Sequence, residues 1–278
     1  MPEAKKILRK QEEDGSWKYP GKKAMEHQDY DQYQTYLNLA ELVEKYGLNR
    51  GHDAIERAAE YLFGFQSEEG DFRGIYANQY STTYSPAIME ILIKAGYEDN
   101  PRIAQGFDWL LSIRQDDGGW ALPFRTVGLN LKEAWETPEP LEPDRSKPSS
   151  HMVTGAVLRA FAAHPEYRKS CDAKKAGELL LSRFFTNDKY ADRRSKDYWE
   201  RLSFPFLYPD IVSTLDSMYF LGFSRNNPEI EEALKFLRDK QNKNGTFDLK
   251  ITRGSDKNLS YWVCLAVCRL FKRYNKLK

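Results

Sequence analysis

The chain has 278 residues, a length that suits one large domain or two small ones and supports a sizeable core without disulfides or metals. Its 42 Lys and Arg against 41 Asp and Glu leave a net charge of +1, which argues against a nucleic-acid partner. No apolar run approaches the roughly 18 residues of a membrane helix, no secretory signal is visible, and three cysteines make a poor disulfide framework. We therefore expect a cytoplasmic protein with no membrane span.

Aromatic residues are the unusual part of the composition. Six Trp, 17 Tyr and 15 Phe make up 14% of the chain. In a charge-rich sequence these rings must fill a core, occupy a regular repeat or line a cavity. Their positions therefore matter more than their number.

A seven-residue pattern recurs along the chain, with Gln or Arg first, Gly fifth and Trp or Phe seventh. The copies are QEEDGSW (11–17), QSEEGDF (66–72), RQDDGGW (114–120) and QNKNGTF (241–247), and FFTNDKY (184–190) is a decayed copy with Asp188 in the Gly position and Tyr190 in the aromatic position. Glycine allows the positive φ that follows a helix end. The Gln amide can tie backbone groups of the turn to the next helix.

A helical run precedes each turn, and a second, more apolar run follows it. In chain order the second runs are 30–46, 82–95, 150–163, 209–222 and 258–273. Their apolar residues recur at i, i+3, i+4 and i+7, which is the helical period. The sequence therefore predicts an all-α protein of about five helix–turn–helix units, the first of them short.

Two insertions interrupt this rhythm, at about 121–149 and 191–208. The first contains five prolines, and the second contains a cluster of aromatic residues. Loops of this length inside a domain are usually functional or disordered. We expect a single domain over residues 1–278, with the second insertion packed over one end.

These turns resemble the QW repeat, Q-x-x-D/E-G-x-W, of the terpenoid cyclases and protein prenyltransferases. Four copies in phase, each with helices around it, carry the resemblance over nearly the whole chain. The resemblance implies an α/α toroid, in which inner helices surround a central cavity and outer helices form a shell. It implies nothing direct about chemistry.

The catalytic motifs of that superfamily are absent. No Asp-x-Asp-Asp occurs, and Asp116-Asp117 lacks the later acid of an Asp-Asp-x-x-Asp motif. The nearest candidate acids are Asp210 and Asp216, which lie six residues apart and so on different faces of one helix. His151 is a third weak catalytic candidate, at the start of a predicted inner helix.

The last unit, FDLKITRGSDKNLSYWV, is similar to a zinc-binding segment of prenyltransferase β subunits. Asp256 matches the family's Asp ligand, but Asn258 stands where the Cys ligand would be, and no later repeat supplies the His. We therefore expect no metal and no cofactor. Lys250 and Arg253 fall near the family's diphosphate-contacting positions, so they are candidates for an anion site with the start of the 258–273 helix.

In a toroid the starts of the inner helices would rim the cavity mouth, and many of them carry Tyr. The candidate ligand-binding residues, including those from the second insertion and the anion site, are Tyr30, Asp31, Gln34, Tyr84, His151, Trp199, Tyr208, Lys250, Arg253, Tyr261 and Trp262. Aromatic faces can stabilise carbocations or bury an isoprenoid chain.

The sequence favours binding or processing of an apolar, isoprenoid-like or prenyl-diphosphate-like small molecule in the central cavity. One alternative is a non-catalytic toroid used for binding or interaction, with a partner subunit as an option. Another is carbohydrate processing, which needs two carboxylates about 5–10 Å apart in one cleft; Asp31, Asp210 and Asp216 are its candidates. The lining of the cavity separates these alternatives.

Overall fold

The structure is a computed structural model that describes residues 1–22, 28–188, 194–206, 208–252 and 257–275. Its α-helices are α1 (Pro2–Leu8), α2 (Tyr30–Tyr46), α3 (Asp53–Phe63), α4 (Tyr84–Leu92), α5 (Pro101–Ser112), α6 (Pro123–Thr126), α7 (Leu131–Ala134), α8 (His151–Ala163), α9 (Cys171–Leu181), α10 (Ile211–Phe220), α11 (Pro228–Asp239) and α12 (Leu259–Tyr274). A π-helical segment (Ile93–Tyr97) extends α4, and short 3₁₀ turns cover Tyr167–Lys169 and Lys196–Glu200.

The helices form two concentric layers, as the repeat predicts. In the described part of the chain, five inner helices (α2, α4, α8, α10 and α12) contact one another in that order. Each of the first four also contacts the outer helix that follows it in the sequence: α3, α5, α9 or α11. The fold is therefore the predicted all-α, α/α toroid, and the predicted apolar runs are its inner wall.

The described residues form only two short strands. The two-residue strands β1 (Arg201–Leu202) and β2 (Lys250–Ile251) pair in parallel, with Arg201 opposite Lys250. This ladder joins the second insertion to the loop before α12.

The Gln amide acts as the sequence predicts in the first two turns. Gln11 Nε2 donates to the carbonyl of Gly15 at 3.0 Å and to that of Ala54, in the first turn of α3, at 2.7 Å. Gln66 makes the equivalent bonds at 2.9 and 2.7 Å. One side chain thereby ties its own turn to the next outer helix.

In the first three turns, the aromatic residue is anchored to the following inner helix. The backbone N–H of Trp17 donates to Thr35 Oγ1 at 2.9 Å, and that of Phe72 donates to Ser85 Oγ at 3.0 Å. The turn at Trp120 makes the same kind of bond at 3.0 Å. These three rings are almost fully buried, so part of the aromatic content serves the repeat.

The decayed fourth copy has a different role. Tyr190 lies outside the described residues, but Asp188 is buried and serves as a cap for α8. Its Oδ2 accepts hydrogen bonds from Ser150 Oγ at 2.6 Å and from the N–H of Met152 at 2.9 Å. An acid here complements the positive end of the helix, which explains why glycine is not retained.

The first insertion, which includes α6 and α7, packs beside the start of α4. Gln79, just before α4, donates to the carbonyl of Ala134 at 3.0 Å and accepts from the N–H of Leu141 at 2.9 Å. Among the described residues, no helix combines the length and the apolar character needed to cross a membrane.

Candidate functional site

A layer of tyrosines lies between the starts of α2 and α4. The ring of Tyr84 is 5.7 Å from that of Tyr33 and 5.4 Å from that of Tyr76, both edge-on. Tyr36 and Phe124 extend the layer on either side. Burial, followed by the neighbouring Tyr76, raises the pKa of Tyr84. This part of the predicted aromatic mouth is therefore a packed group of rings.

Further along the inner wall lies a buried ion pair between α4 and α8. Arg159 Nε donates to Glu90 Oε2 at 2.7 Å, and both side chains are only 3% exposed. Lys94 Nζ donates to the other oxygen of Glu90 at 2.7 Å. Burial would raise the pKa of Glu90, but the two cations outweigh it and hold that pKa below its ordinary value.

Further ion pairs extend this group around the interior. Lys94 also pairs with Glu44, so the network reaches α2. On the other side, Arg273 of α12 pairs with Asp216 of α10. Asp216, a sequence-predicted candidate acid, is therefore one half of an ion pair between two inner helices.

The second insertion sends residues 203–206 into the interior. The ring of Phe204 stacks on that of Trp262 at 6.1 Å with 7° between the planes. The carbonyl of Phe206 accepts a hydrogen bond from Arg159 Nη2 at 2.8 Å. Trp262, a predicted ligand-binding residue, thus faces inward and holds this segment.

Two adjoining cavities lie beside Phe206, near the C-terminal ends of the inner helices. The α8–α10 cavity measures about 150 Å³ and is lined by residues that include Glu90, Lys94, Arg159, Ala163, Arg168 and Ser213. The α10–α12 cavity measures about 140 Å³ and is lined by residues that include Glu44, Phe204, Arg269 and Arg273. Lys94, Phe206, Asp216 and Phe220 line both cavities. Each cavity is about half the ~300 Å³ at the lower end of ordinary ligand pockets.

Asp210 is a buried acid at the start of α10. Its Oδ1 accepts from the N–H of Ser213 at 2.8 Å, which makes it the N-cap of the helix. Its Oδ2 has no hydrogen-bond partner among the described residues. Burial raises the pKa of Asp210 to about 7, despite opposing hydrogen bonds from Ser213 and the charge of Arg159. The side chain can therefore hold a proton near neutral pH.

His151 forms a separate group at the start of α8. Its ring lies 4.7 Å from that of Trp199, and its Nε2 is 3.6 Å from Asp188 Oδ2. Burial lowers the pKa of His151, although Asp188 opposes the shift. His151 and Trp199 are thus brought together, in a contact that covers the start of α8 and lies outside both cavities.

Three predicted ligand-binding residues, Tyr30, Asp31 and Gln34, belong to the start of α2 and lie at the edge of the toroid. Asp31 accepts from Lys18 Nζ at 3.0 Å and from the N–H of Tyr19 at 2.9 Å, so it holds the segment after the first turn. Tyr30 packs against Tyr19, and Gln34 donates to Asn38 at 3.1 Å. The structure does not bring these three side chains to either cavity.

The remaining predicted residues divide between the interior and the surface. Tyr208 interacts electrostatically with Tyr84 and so borders the tyrosine layer. Tyr261 is 65% exposed, because one residue along a helix turns a side chain about 100° away from the inward Trp262. Lys250 lies on β2 in an outer groove with Phe236, and Arg253 falls outside the described residues.

The cations Arg159 and Lys94, and the acid Glu90 that binds them, are not among the site residues that the sequence predicts. Arg159 and Glu90 each stand within an apolar inner-helix run, in VLRAF and IMEIL. A charged residue on the buried face of an amphipathic helix needs a partner. That signal marks both residues, but it does not pair two side chains 69 positions apart.

Comparison with known proteins identifies the fold. No protein-family model matches the sequence, and no curated protein matches it. A variant of the type II terpene cyclase MstE from Scytonema, with its product merosterolic acid A, is similar at a TM-score of 0.60 and 16% identity, over 97% of this chain and 72% of that chain. A second variant of that cyclase, with its substrate geranylgeranyl dihydroxybenzoate, has a TM-score of 0.58 and 17% identity, over 96% of this chain and 70% of that chain.

Proposed function

We propose that the protein binds an isoprenoid-like small molecule inside its toroid, in the space now divided between the α8–α10 and α10–α12 cavities. The chain has the α/α toroid fold found in type II terpene cyclase structures. The observation that supports the proposal most directly is the position of the cavities, between the inner helices and against the rings of Phe204, Phe206 and Phe220. Aromatic walls favour burial of an apolar chain.

The ligand needs more room than either cavity offers alone. Phe206 and Phe220 line both cavities. Phe206 belongs to a loop, whereas Phe220 belongs to α10, so movement of the Phe206 ring is the less costly way to join the two spaces. We expect the bound chain to take the place of that ring.

Proton transfer to the bound molecule is a second candidate role, favoured by Asp210. A carboxylic acid with a pKa near 7 is protonated in roughly half of the molecules at neutral pH, and that fraction can act as a general acid. Asp210 Oδ2 has no hydrogen-bond partner among the described residues. Asp210 itself lines neither cavity, so proton transfer requires the bound molecule to reach past Ser213, which lies one turn along α10 and lines the α8–α10 cavity. If the ligand is converted, Asp210→Asn should leave binding intact and abolish turnover.

Carbohydrate processing receives less support from the geometry. Of its three candidate acids, only Asp216 lines either of these two cavities, and Arg273 neutralises it. Asp210 is buried beside its own helix, and Asp31 is held by Lys18.

Calorimetric titration with geranylgeraniol, an uncharged C20 isoprenoid, tests the proposal. We expect saturable binding to the wild-type chain. Ala163→Phe fills the α8–α10 cavity and should weaken binding at least about tenfold, which corresponds to about 1.4 kcal/mol. Leu265→Phe, on the exposed face of α12, is the matched control and should bind like wild type.

Two results would contradict the proposal. One is no saturable binding by the wild-type chain, which would favour the non-catalytic interaction module. The other is equal affinity of the wild-type chain and folded Ala163→Phe, which would put the ligand outside the interior.

A further inference from the structure

We propose that the α8–α10 cavity contains an oxyanion subsite formed by Arg159, Lys94 and Arg168. It would take a phosphate or diphosphate group, either free or as the end of a larger ligand. This inference rests on the proposed function only for where the rest of such a ligand lies. The subsite itself can be tested with an anion that has no apolar chain.

Arg159 carries a hydrogen-bond donor that is not used by the described residues. Its Nε and Nη2 both donate to Glu90 Oε2, and Nη2 also donates to the carbonyl of Phe206. Its Nη1 has no hydrogen-bond partner among the described residues, although the side chain is only 3% exposed and lines the cavity. The hydroxyl of Tyr36 lies beside the guanidinium, but it does not meet Nη1 in hydrogen-bond geometry. A buried guanidinium nitrogen without an acceptor is costly, so the cavity offers an acceptor a favourable position.

Around Arg159 Nη1, the lining of the cavity carries more positive than negative charge. Glu90 is already shared between Arg159 and Lys94, and Asp216 is paired with Arg273. The guanidinium of Arg168 makes no hydrogen bond or ion pair with any described residue, and lies 6.0 Å from the ring of Phe220. Lys94 is also paired with Glu44, and the carboxyl of Asp210 interacts electrostatically with Arg159. Both carboxylates in the lining are thus neutralised, and the unpaired positive charge in the lining is that of Arg168.

The attraction of basic side chains to the C-terminal ends of helices explains only part of this cluster of cations. The inner helices end on this side, and Lys or Arg in a last turn is stabilised by the negative end of the helix dipole. That explains the placement of Lys94 and Arg273. Arg159 lies four residues before the end of α8 and directs two nitrogens at Glu90, so the helix end gives its Nη1 no acceptor.

Titration of the full-length chain with inorganic pyrophosphate, followed by calorimetry, tests the subsite. We expect one molecule bound per chain. Arg168→Ala should weaken binding at least about tenfold, because it removes a charged donor. Lys169→Ala is the matched control: Lys169 is the next residue, is 63% exposed and pairs with Glu166, so its loss should leave the affinity unchanged.

A second variant isolates the unused nitrogen. Arg159→Lys keeps the charge but removes the planar donor group, and it should also weaken pyrophosphate binding. If that variant does not fold, Arg168→Ala still decides. Farnesyl diphosphate and farnesol, titrated beside pyrophosphate, identify the source of the anion. Tighter binding of farnesyl diphosphate than of pyrophosphate supports a subsite for the end of a larger ligand, and equal affinities support a site for the free anion.

The subsite is overturned if pyrophosphate does not bind, since water alone would then satisfy the cavity. It is also overturned if folded Arg168→Ala binds pyrophosphate as tightly as wild type. Neither result bears on the proposed function, which is tested separately by the binding of uncharged geranylgeraniol to the wild-type chain and to Ala163→Phe. Conversely, pyrophosphate binding without geranylgeraniol binding would support the subsite and count against the isoprenoid proposal.

Discussion

At the residue scale, the glycine that recurs in the turns is required for two separate physical reasons. Gly70 and Gly245 both have positive φ, at 111° and 84°. A Cβ on Gly70 would overlap the carbonyl oxygen of Gln105, whereas a Cβ on Gly245 would meet nothing within 4 Å. Backbone conformation alone therefore requires glycine at 245, and close approach of the next outer helix adds to that requirement at 70.

This difference predicts unequal costs for the same substitution. Gly245→Ala should lower the free energy of unfolding by about 1 kcal/mol, the cost of a left-handed non-glycine residue. Gly70→Ala should cost about 3 kcal/mol or more, because the turn must also move away from α5. Urea denaturation of both variants measures this, and equal losses would contradict the packing argument.

Asp210 provides a prediction about pH. Its pKa rises from 3.8 to about 7 on folding, so between these values the unfolded carboxyl is ionised while the folded one keeps its proton. The free energy of unfolding therefore falls as pH rises through this window. Asp210→Asn keeps a good N-cap residue and removes the titration.

Relative to wild type, Asp210→Asn should become more stable between pH 4 and pH 7 by up to about 4 kcal/mol. Urea denaturation of both proteins across that range measures the change. A difference that stays constant with pH would show that the folded carboxyl titrates normally.

At the element scale, the segment 203–206 controls the shape of the interior. It is held by the Phe204–Trp262 stack and by the bond from Arg159 to the carbonyl of Phe206. The ring of Phe206 borders both cavities. Trp199 of the second insertion covers the start of α8, and residues 203–206 of the same insertion reach inside the toroid.

Removing that ring should enlarge the site. We predict that Phe206→Ala binds geranylgeraniol about tenfold more tightly than wild type, since two more methylene groups could be buried at about 0.8 kcal/mol each. Calorimetric titration measures the affinity. Phe236→Ala, which removes a half-buried ring from α11, is the control and should bind like wild type. Unchanged or weaker binding by Phe206→Ala would show that the ring is part of the binding surface.

At the scale of the whole molecule, buried charge links inner helices that hydrophobic packing alone would leave free to shift. Arg159→Met leaves Glu90 with Lys94 as its remaining charged partner, and should cost about 3–5 kcal/mol. Adding Glu90→Leu should recover much of this, because the buried carboxylate that lost Arg159 is removed while Lys94 keeps Glu44 as its partner. A double-mutant cycle by urea denaturation measures the coupling, and additive effects of the two substitutions would contradict the linkage.

The two layers could be predicted from the sequence because each helix carries its own periodic signal. The run predicted at 30–46 is α2, and the run predicted at 150–163 is α8 to within one residue. The run predicted at 82–95 is less regular: α4 ends at Leu92 and a π-helical segment follows, with Gly96 at positive φ. Local spacing does not report such a change of helix type.

The interior could be predicted only in part. The aromatic residues at the starts of the inner helices indicated the tyrosine layer around Tyr84, because the residues on one face of a helix can be read from neighbouring sequence positions. The bond from Arg159 to Glu90 joins residues 69 positions apart, and the path of residues 203–206 depends on the whole toroid. Such contacts depend on tertiary packing, and the periodicity of apolar residues reports only local structure.

Whether the interior of the toroid is a ligand site is best decided by a crystal structure of the chain grown with geranylgeranyl diphosphate. We expect the isoprenoid chain beside Phe220 in place of the Phe206 ring, with the diphosphate against Arg159 and Arg168. Density confined to the outer groove at Phe236, or to the exposed face of α12 at Tyr261, with the interior unchanged, would contradict this expectation.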